Sequence, residues 1–479
     1  MKSSIFFKGL FTVALLLGLS VVAQAQFLRT SYFMEGTHYR QQLNPALAPG
    51  RGYLNLPVIG SLNVTVNSSS LGYQDIMDII DNSDEADYFT SQKFMNRLDN
   101  INNLNVNLST DIISAGWYKG KNFWSFNIGL RNDIGASIPR SMFEFMNTMN
   151  GLDGSDWTML QNLSAMTGGQ SIRINSYAEI GIGFSRNITN RLTVGGRLKG
   201  LLGIANLKLD IQNINVQSHV EGLPEDLENI TPEQTAAIRG NAEIQVAATL
   251  ESSSQLLELN EDPSTGYIDE IDFGKFGLAG YGGAIDLGAS FKLTKHLTLS
   301  ASILDLGFIK WSKKHTSLAT ATGNESYQFT PENPQDAFEF VNKVNSGEIL
   351  NYDMLQMEVQ EGVEKDRTTS LTSTLVVGAE YALLNNWLVV GALYTGRFAK
   401  PKTLNELTFS ANIRPKNFFN VAVSYSVLQG AGKTFGAAVK LGPLFVGTDY
   451  MFLGKNTNNV NAYVGFSLPL NKQKKAKNS

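Results

Sequence analysis

Gly430-Ala431-Gly432-Lys433-Thr434 ends like a phosphate-binding loop, in which backbone amides cradle the phosphates and the lysine reaches their oxygens. The first glycine of that motif would fall at 427, which is Val, and the run joins two strand-like stretches with no helix after it. Phosphate chemistry is therefore not expected. Asp81, Ser83 and Glu85 have the first spacings of a calcium-binding loop. Ala86 stands where the sharp turn needs glycine, however, and Gln92 where a bidentate Glu is required, so the run reads as a solvated acidic loop. The four histidines (His38, His219, His296 and His315) lack ligand spacing, and neither G-x-S-x-G nor H-E-x-x-H occurs. With no cysteine there is no thiolate metal site, no disulfide and no cysteine nucleophile. The expectation is a non-enzyme without metal or cofactor.

The charged residues that remain sit at alternating positions. Arg131, Arg197, Lys199, Lys292, Arg414 and Lys440 share polar faces with Asp133, Glu179, Asp286, Glu380, Glu406 and Asp449. Six of each sign leave little net field for selecting ions. The expected role is a lumenal salt-bridge network holding a barrel or a plug, with guidance of a solute as the alternative. A second group is apolar: Met142, Phe143, Phe145, Met146, Met149, Trp157, Met159, Leu160, Leu163 and Met166. Helical spacing predicts helices over 141–149 and 157–166. Methionine and aromatic side chains make adaptable apolar surfaces. They are expected either to receive a greasy ligand or partner, or to pack on one another as a cap.

The elements that would position these residues follow a period of two. Ile285, Leu287, Ala289 and Phe291 oppose Asp286, Gly288, Ser290 and Lys292, and Leu407, Phe409 and Ala411 oppose Thr408, Ser410 and Asn412. Such alternation puts successive side chains on opposite faces of a sheet, in a soluble sandwich as well as in a membrane barrel. Export decides how the two are weighed. Residues 1–25 read as a signal peptide: Lys2 and Lys8 precede an apolar run over 9–23, and Ala23-Gln24-Ala25 supplies the cleavage site. The 479 residues carry 43 acids against 39 bases, and mean hydropathy is −0.10. A bundle of membrane helices is excluded by that value, and nothing basic enough for nucleic acid is present.

Connections alternate between tight and long. Tight turns are expected at 118–122, 186–191, 294–296, 384–386, 415–417 and 442–443, and longer connections lie between them. Outer-membrane barrels have short periplasmic turns, long outer loops and an even strand number. Six turns and seven loops predict an all-β, transmembrane outer-membrane barrel of about 14 antiparallel strands, with short helices in the outer loops. The predicted strands start near 53, 105, 122, 172, 192, 280, 297, 369, 387, 404, 418, 434, 444 and 459. Ala242–Leu250 also looks strand-like; it is an outer extension in this count, and a 16-stranded barrel is the alternative. The expected organisation is a signal peptide over 1–25, an N-terminal hatch or plug over 26–52, the barrel over 53–470 and a basic periplasmic tail over 471–479. Both chain ends would then face the periplasm of a Gram-negative bacterium.

Leu43-Asn44-Pro45-Ala46-Leu47-Ala48-Pro49, Leu56-Pro57-Val58-Ile59-Gly60-Ser61-Leu62-Asn63-Val64 and Leu304-Asp305-Leu306-Gly307-Phe308-Ile309-Lys310-Trp311 resemble stretches of an uncharacterised family of Bacteroidota outer-membrane barrels. That group resembles FadL-type transporters of hydrophobic compounds, and the PorV and PorP/SprF-like barrels of type IX secretion and gliding. The resemblance implies a hatch in which Asn44, Pro45 and Ala46 match a short Asn-Pro-Ala element. Two functions follow as expectations: passive transport of a small hydrophobic ligand, or docking of a secreted, surface or motility protein through the outer loops. Outer-membrane lipid and lipopolysaccharide are the surroundings expected in either case. A bulge in a strand beside a lumenal pocket would favour transport, and a filled lumen beneath a broad apolar outer patch would favour docking.

Overall fold

Residues two apart on a strand share a face, so the alternating segments above form strands with one polar and one apolar side. The computed structural model describes residues 29–472 apart from 56–60, 71, 73, 76–90, 151–156, 224–230, 264–265, 346–356, 363–364, 399–402, 417, 429–432 and 451–457. The residues expected to form a signal peptide lie outside those described, as do the acidic run Asp81–Asp87 and residues 473–479.

Fourteen antiparallel strands close into a barrel. They are β1 (Arg51–Asn55 with Ser61–Ser68), β2 (Ile101–Lys119), β3 (Asn122–Pro139), β4 (Gln170–Asn187), β5 (Leu192–Glu221), β6 (Gly280–Lys292) and β7 (Leu297–Trp311). The circuit continues through β8 (Arg367–Ser370 with Thr374–Leu383), β9 (Leu388–Arg397), β10 (Leu404–Lys416), β11 (Phe419–Leu428), β12 (Thr434–Leu441), β13 (Leu444–Thr448) and β14 (Asn459–Phe466 with Leu468–Lys472). Both parts of β1 pair with β2 on one side and with β14 on the other, which joins the ends of the sheet. Closure satisfies the backbone groups that an open edge would leave bare in lipid, where each costs several kcal/mol. Each strand starts within four residues of its expected position. All six tight connections fall at one rim, called here the turn end; the opposite rim is the loop end.

Burial is inverted relative to a soluble protein. Leu198 is 67% exposed, while its neighbours Arg197 and Lys199 are buried. Ile180 and Ile182 are exposed beside buried Glu179, and Phe409 and Ile413 beside buried Ser410 and Asn412. The apolar side therefore faces outward and the polar side the lumen. On β6 the exposed positions run from Tyr281 to Phe291. At ~3.3 Å per residue and a tilt of ~40° that run is about 25 Å tall, the height of a lipid-facing band. Among the described residues no helix is long and apolar enough to cross a membrane; the strands make the crossing.

β5 is 30 residues long, where a bilayer needs only about 9–11. Beyond Gly203 it leaves β6 and pairs with Arg239–Ser254, which pairs in turn with Thr316–Phe329. This sheet stands above the loop end and accounts for Ala242–Leu250 without two more barrel strands. Its core holds Leu207, Leu209, Ile211, Ile244 and Leu250, packed with Phe145 of helix Arg140–Asn150 and with Phe340 and Val341 of helix Pro334–Asn345. Each fully buried Leu or Ile contributes about 1.5–3 kcal/mol. The helix expected over 157–166 is corrected. Trp157–Asn162 is a short 3-10 helix, and Leu163–Thr167 is a strand paired with residues 214–218, because its alternate residues Leu163 and Ala165 enter this core.

Candidate functional site

Residues 29–50 occupy the turn-end half of the lumen. The segment has only two short helices, Arg29–Tyr32 and Tyr39–Leu43, too short to be stable alone. Wall contacts hold it. Asp449 accepts hydrogen bonds from the backbone amides of Arg29 and Thr30, both at 2.8 Å. The Arg29 guanidinium pairs with Glu406 and lies 4.6 Å from the Tyr450 ring centroid. Arg40 pairs with Glu380, and Arg414 reaches back to Glu35 at 2.9 Å. Four of the expected lumenal charges, Glu380, Glu406, Arg414 and Asp449, thus bind the segment and not one another.

Asn44-Pro45-Ala46 forms the tightest seat. Asn44 Oδ1 accepts from the Ala46 amide at 2.9 Å, and its Nδ2 donates to the carbonyls of Ala289 and Ala301, both at 3.1 Å. Gly195 and Gly288, partners across β5 and β6, face this turn; a Cβ on Gly195 would overlap Pro45 and one on Gly288 would overlap Asn44. Close approach is why glycine stands at both positions.

A charge cluster borders the segment. Lys199 Nζ lies 2.6 Å from Asp305, 2.9 Å from Asp286 and 3.5 Å from Glu179. Arg197 Nη1 is 3.6 Å from Asp286. Arg131 bridges Asp111 at 2.8 Å and Glu179 at 3.3 Å. Gln42 of the segment donates to Asp111 at 2.5 Å, and Arg197 to the Gln41 carbonyl at 3.3 Å, so the cluster and the segment are joined. Arg131, Glu179, Arg197, Lys199 and Asp286 come together as a group. Asp133 stands apart, paired with Arg397 at 2.5 Å. Lys440 is buried near Gly36 of the segment. Lys292 is a correction: it is exposed at the turn end, because it follows the last lumenal position of β6.

Asp305 was hidden by a bulge. Asp286 faces both Leu304 and Asp305, since the register steps from Ile285↔Leu306 to Leu287↔Ile303. Asp305 adopts φ 58°, a left-handed conformation that Asp tolerates better than most residues, and its amide donates to Asp286 at 2.8 Å. Buried positions on β7 change from Ser300, Ser302 and Leu304 to Ile309 and Trp311 across this point, so strict alternation misassigns one side. Asp111, Arg397, Arg29 and Arg40 were missed as well. The two arginines of the segment lie outside any strand pattern.

The bulge adjoins an interruption in the wall. β7 pairs with one part of β8 up to Leu304↔Thr374, and with the other from Phe308↔Ser370. Residues 371–373 between these parts belong to no strand, although the Leu371 amide still donates to the Gly307 carbonyl at 3.0 Å. On the lumenal side, Leu371 packs with Tyr177, Leu201, Ala284, Ile309 and Trp311 in an apolar layer. Trp311 is fully buried and its indole donates to Thr369 at 2.7 Å. Polar groups resume on the loop side of this layer, where Arg367 meets Glu251 at 2.9 Å and Arg173 meets Asp210 at 2.6 Å.

The loop residues expected either to receive a ligand or partner or to pack on one another as a cap are mostly turned inward where they are described. Met142, Phe143, Phe145, Leu160 and Leu163 are buried, and Met166 is exposed. The side chains of Met146, Met149, Trp157 and Met159 lie outside those described.

A family described as "Family of unknown function (DUF5723)" matches residues 45–449. No curated protein matches the chain. Among solved structures, the Ralstonia pickettii toluene transporter TbuX aligns at 11% identity and a TM-score of 0.42, covering 94% of this chain and 100% of its own. The P. putida toluene transporter TodX aligns at 12% and 0.39, covering 91% and 94%. A Pseudomonas aeruginosa FadL homologue aligns at 10% and 0.35, covering 93% and 98%.

Proposed function

Because the chain belongs to DUF5723, a family of unknown function, its activity has to be read from its own geometry, and we propose that it is a passive transporter of small hydrophobic compounds in the outer membrane of a Gram-negative bacterium. In this reading residues 1–25 are removed on export, residues 26–52 act as the hatch, and the turn end faces the periplasm. The observation that carries it is the apolar layer of Tyr177, Leu201, Ala284, Ile309, Trp311 and Leu371 beside the interruption at 371–373. A greasy solute gains by resting in such a layer, roughly 25 cal/mol for each Å² of apolar surface removed from water. Its direct way onward is polar and filled by the segment, whereas the side wall loses its regular strand pairing next to Leu371. The chemistry needed is small: a dry resting place, charges that keep the floor closed, and no covalent step.

The test is uptake of a hydrophobic fluorescent tracer by vesicles holding the purified protein. Ala284→Phe, which fills the layer, should lower the uptake rate at least tenfold, and Lys314→Gln, on an exposed turn at the loop end, should leave it unchanged. Undiminished uptake by a correctly folded Ala284→Phe barrel would remove this reading.

A further inference from the structure

We infer that the turn-end rim is a binding surface for anionic phospholipid headgroups, built by pairing a row of aromatics with a band of unpaired cations. Strand register places the two levels. Trp117, Trp124 and Phe184 are neighbours across β2, β3 and β4, with the Trp124 and Phe184 rings 4.9 Å apart and edge to face. Two residues nearer the turns, in the same register, stand Lys119, Asn122 and Arg186. Trp117 is 45% exposed and Ile188 54%, so the aromatic row lies on the lipid-facing side. Aromatic rings at the margin of the apolar band mark the level of the headgroups. The cations just beyond them are therefore set at headgroup depth.

Charge on three neighbouring turns at this level has one sign. Lys119, Lys121, Arg186, Arg191, Lys292 and Lys295 are all exposed and occupy three neighbouring hairpin turns. Residues 112–132, 180–209 and 287–304, which contain those turns, include no Asp or Glu. Among the described residues none of the six makes an ion pair, whereas Arg131, Arg197 and Lys199 on the same strands each have carboxylate partners. The contrast separates two uses of positive charge: lumenal cations are neutralised by the wall, and rim cations are left for a ligand. Complementarity then calls for an anion at the membrane surface, and a phosphate diester on a lipid is the one held at that depth. Each basic residue near an anionic surface adds about 1 kcal/mol, or about fivefold in binding.

Three of the five tryptophans, Trp117, Trp124 and Trp387, stand at this rim and report on it. The full-length mature protein would be reconstituted in phosphatidylcholine vesicles containing either brominated phosphatidylcholine or brominated phosphatidylglycerol, and tryptophan quenching recorded. These bilayers are symmetric, so the result does not depend on the orientation or the transport proposed above. The expected result is a preference for phosphatidylglycerol of about fivefold or more, falling toward one as salt approaches about 1 M, where the Debye length is about 3 Å. Replacing the six cations by Gln should abolish the preference while leaving heat-modifiable gel migration intact. Equal quenching by the two lipids in the wild type would overturn the inference and favour an acidic polypeptide as the occupant. So would a preference that survives in the folded six-Gln variant or at high salt.

Discussion

At the turn end of the lumen, residues 29–50 meet the wall through Arg29–Glu406, Arg40–Glu380 and Arg414–Glu35. At the loop end, Leu207, Leu209 and Ile211 meet Ile244 and Leu250 in a buried apolar core. The first region is a short segment with almost no secondary structure of its own, held by directional contacts. The second is a continuous sheet whose stability comes from apolar area. Directional contacts specify one seating and can be released as a unit when a partner is lost. An apolar core tolerates small changes and resists release. Under the proposed function, a barrel that holds a closed floor beneath a permanent outer structure needs both kinds of attachment.

The contrast is broken most sharply at Glu380. Glu380→Leu leaves the Arg40 guanidinium buried without its carboxylate, at a cost of about 3–5 kcal/mol, and Arg40→Met in the same chain should recover most of it. Limited proteolysis within residues 29–50 should become fast in the single variant and slow again in the double, with gel migration of the barrel unchanged. If both variants behave alike, the ion pair does not hold the segment.

Next is Leu209→Ala in the loop-end core, expected to cost about 2–5 kcal/mol through lost burial and a cavity. Protease sensitivity should then rise in the sheet above the loop end and stay unchanged in residues 29–50. A coupled rise in both regions would show that the two are one cooperative unit. Gly195→Val is smaller and more local. Its side chain collides with Pro45, so single-channel conductance in planar bilayers should show longer or more frequent open periods than the wild type. Conductance indistinguishable from wild type would mean that the Asn-Pro-Ala seat does not close the floor.

The smallest effect concerns a polar latch between the outer sheet and helix Pro334–Asn345. Tyr327 lies 3.1 Å from Lys343 Nζ and donates to Glu325, and burial followed by the Glu325 carboxylate pushes its phenol up to about 12. A raised phenol stabilises the fold in full below its ordinary pKa near 10, and that stability is lost as pH rises through 12. The difference between the spectrophotometric titrations of the wild type and Tyr327→Phe should be one tyrosine ionising late. A difference that shows only a tyrosine ionising near 10 would remove the latch.

Much of the barrel was legible because its cause is local and periodic. Alternation placed Leu198 outside and Arg197 and Lys199 inside, and the alternation of short and long connections gave the strand number. The candidate site was legible only in part. Asp305 stands at an inserted residue that reverses the alternation of β7, Arg397 lies on the far wall from Asp133, and Arg29 and Arg40 belong to a segment with no period. The strand at Leu163–Thr167 is not legible in the sequence because Met and Leu at 159, 160, 163 and 166 also suit a helix, and pairing with residues 214–218 chooses between the two.

The amino-acid sequence by itself determined which side of each strand is polar, where the chain turns and that thiol chemistry is absent, since these depend on residue type and near neighbours. Tertiary structure decided which charges meet, that the segment is seated against Gly195 and Gly288, and that the wall is interrupted beside Leu371. Those facts depend on strands far apart in the chain being brought to one level by register, and a single bulge shifts that register without leaving a local mark.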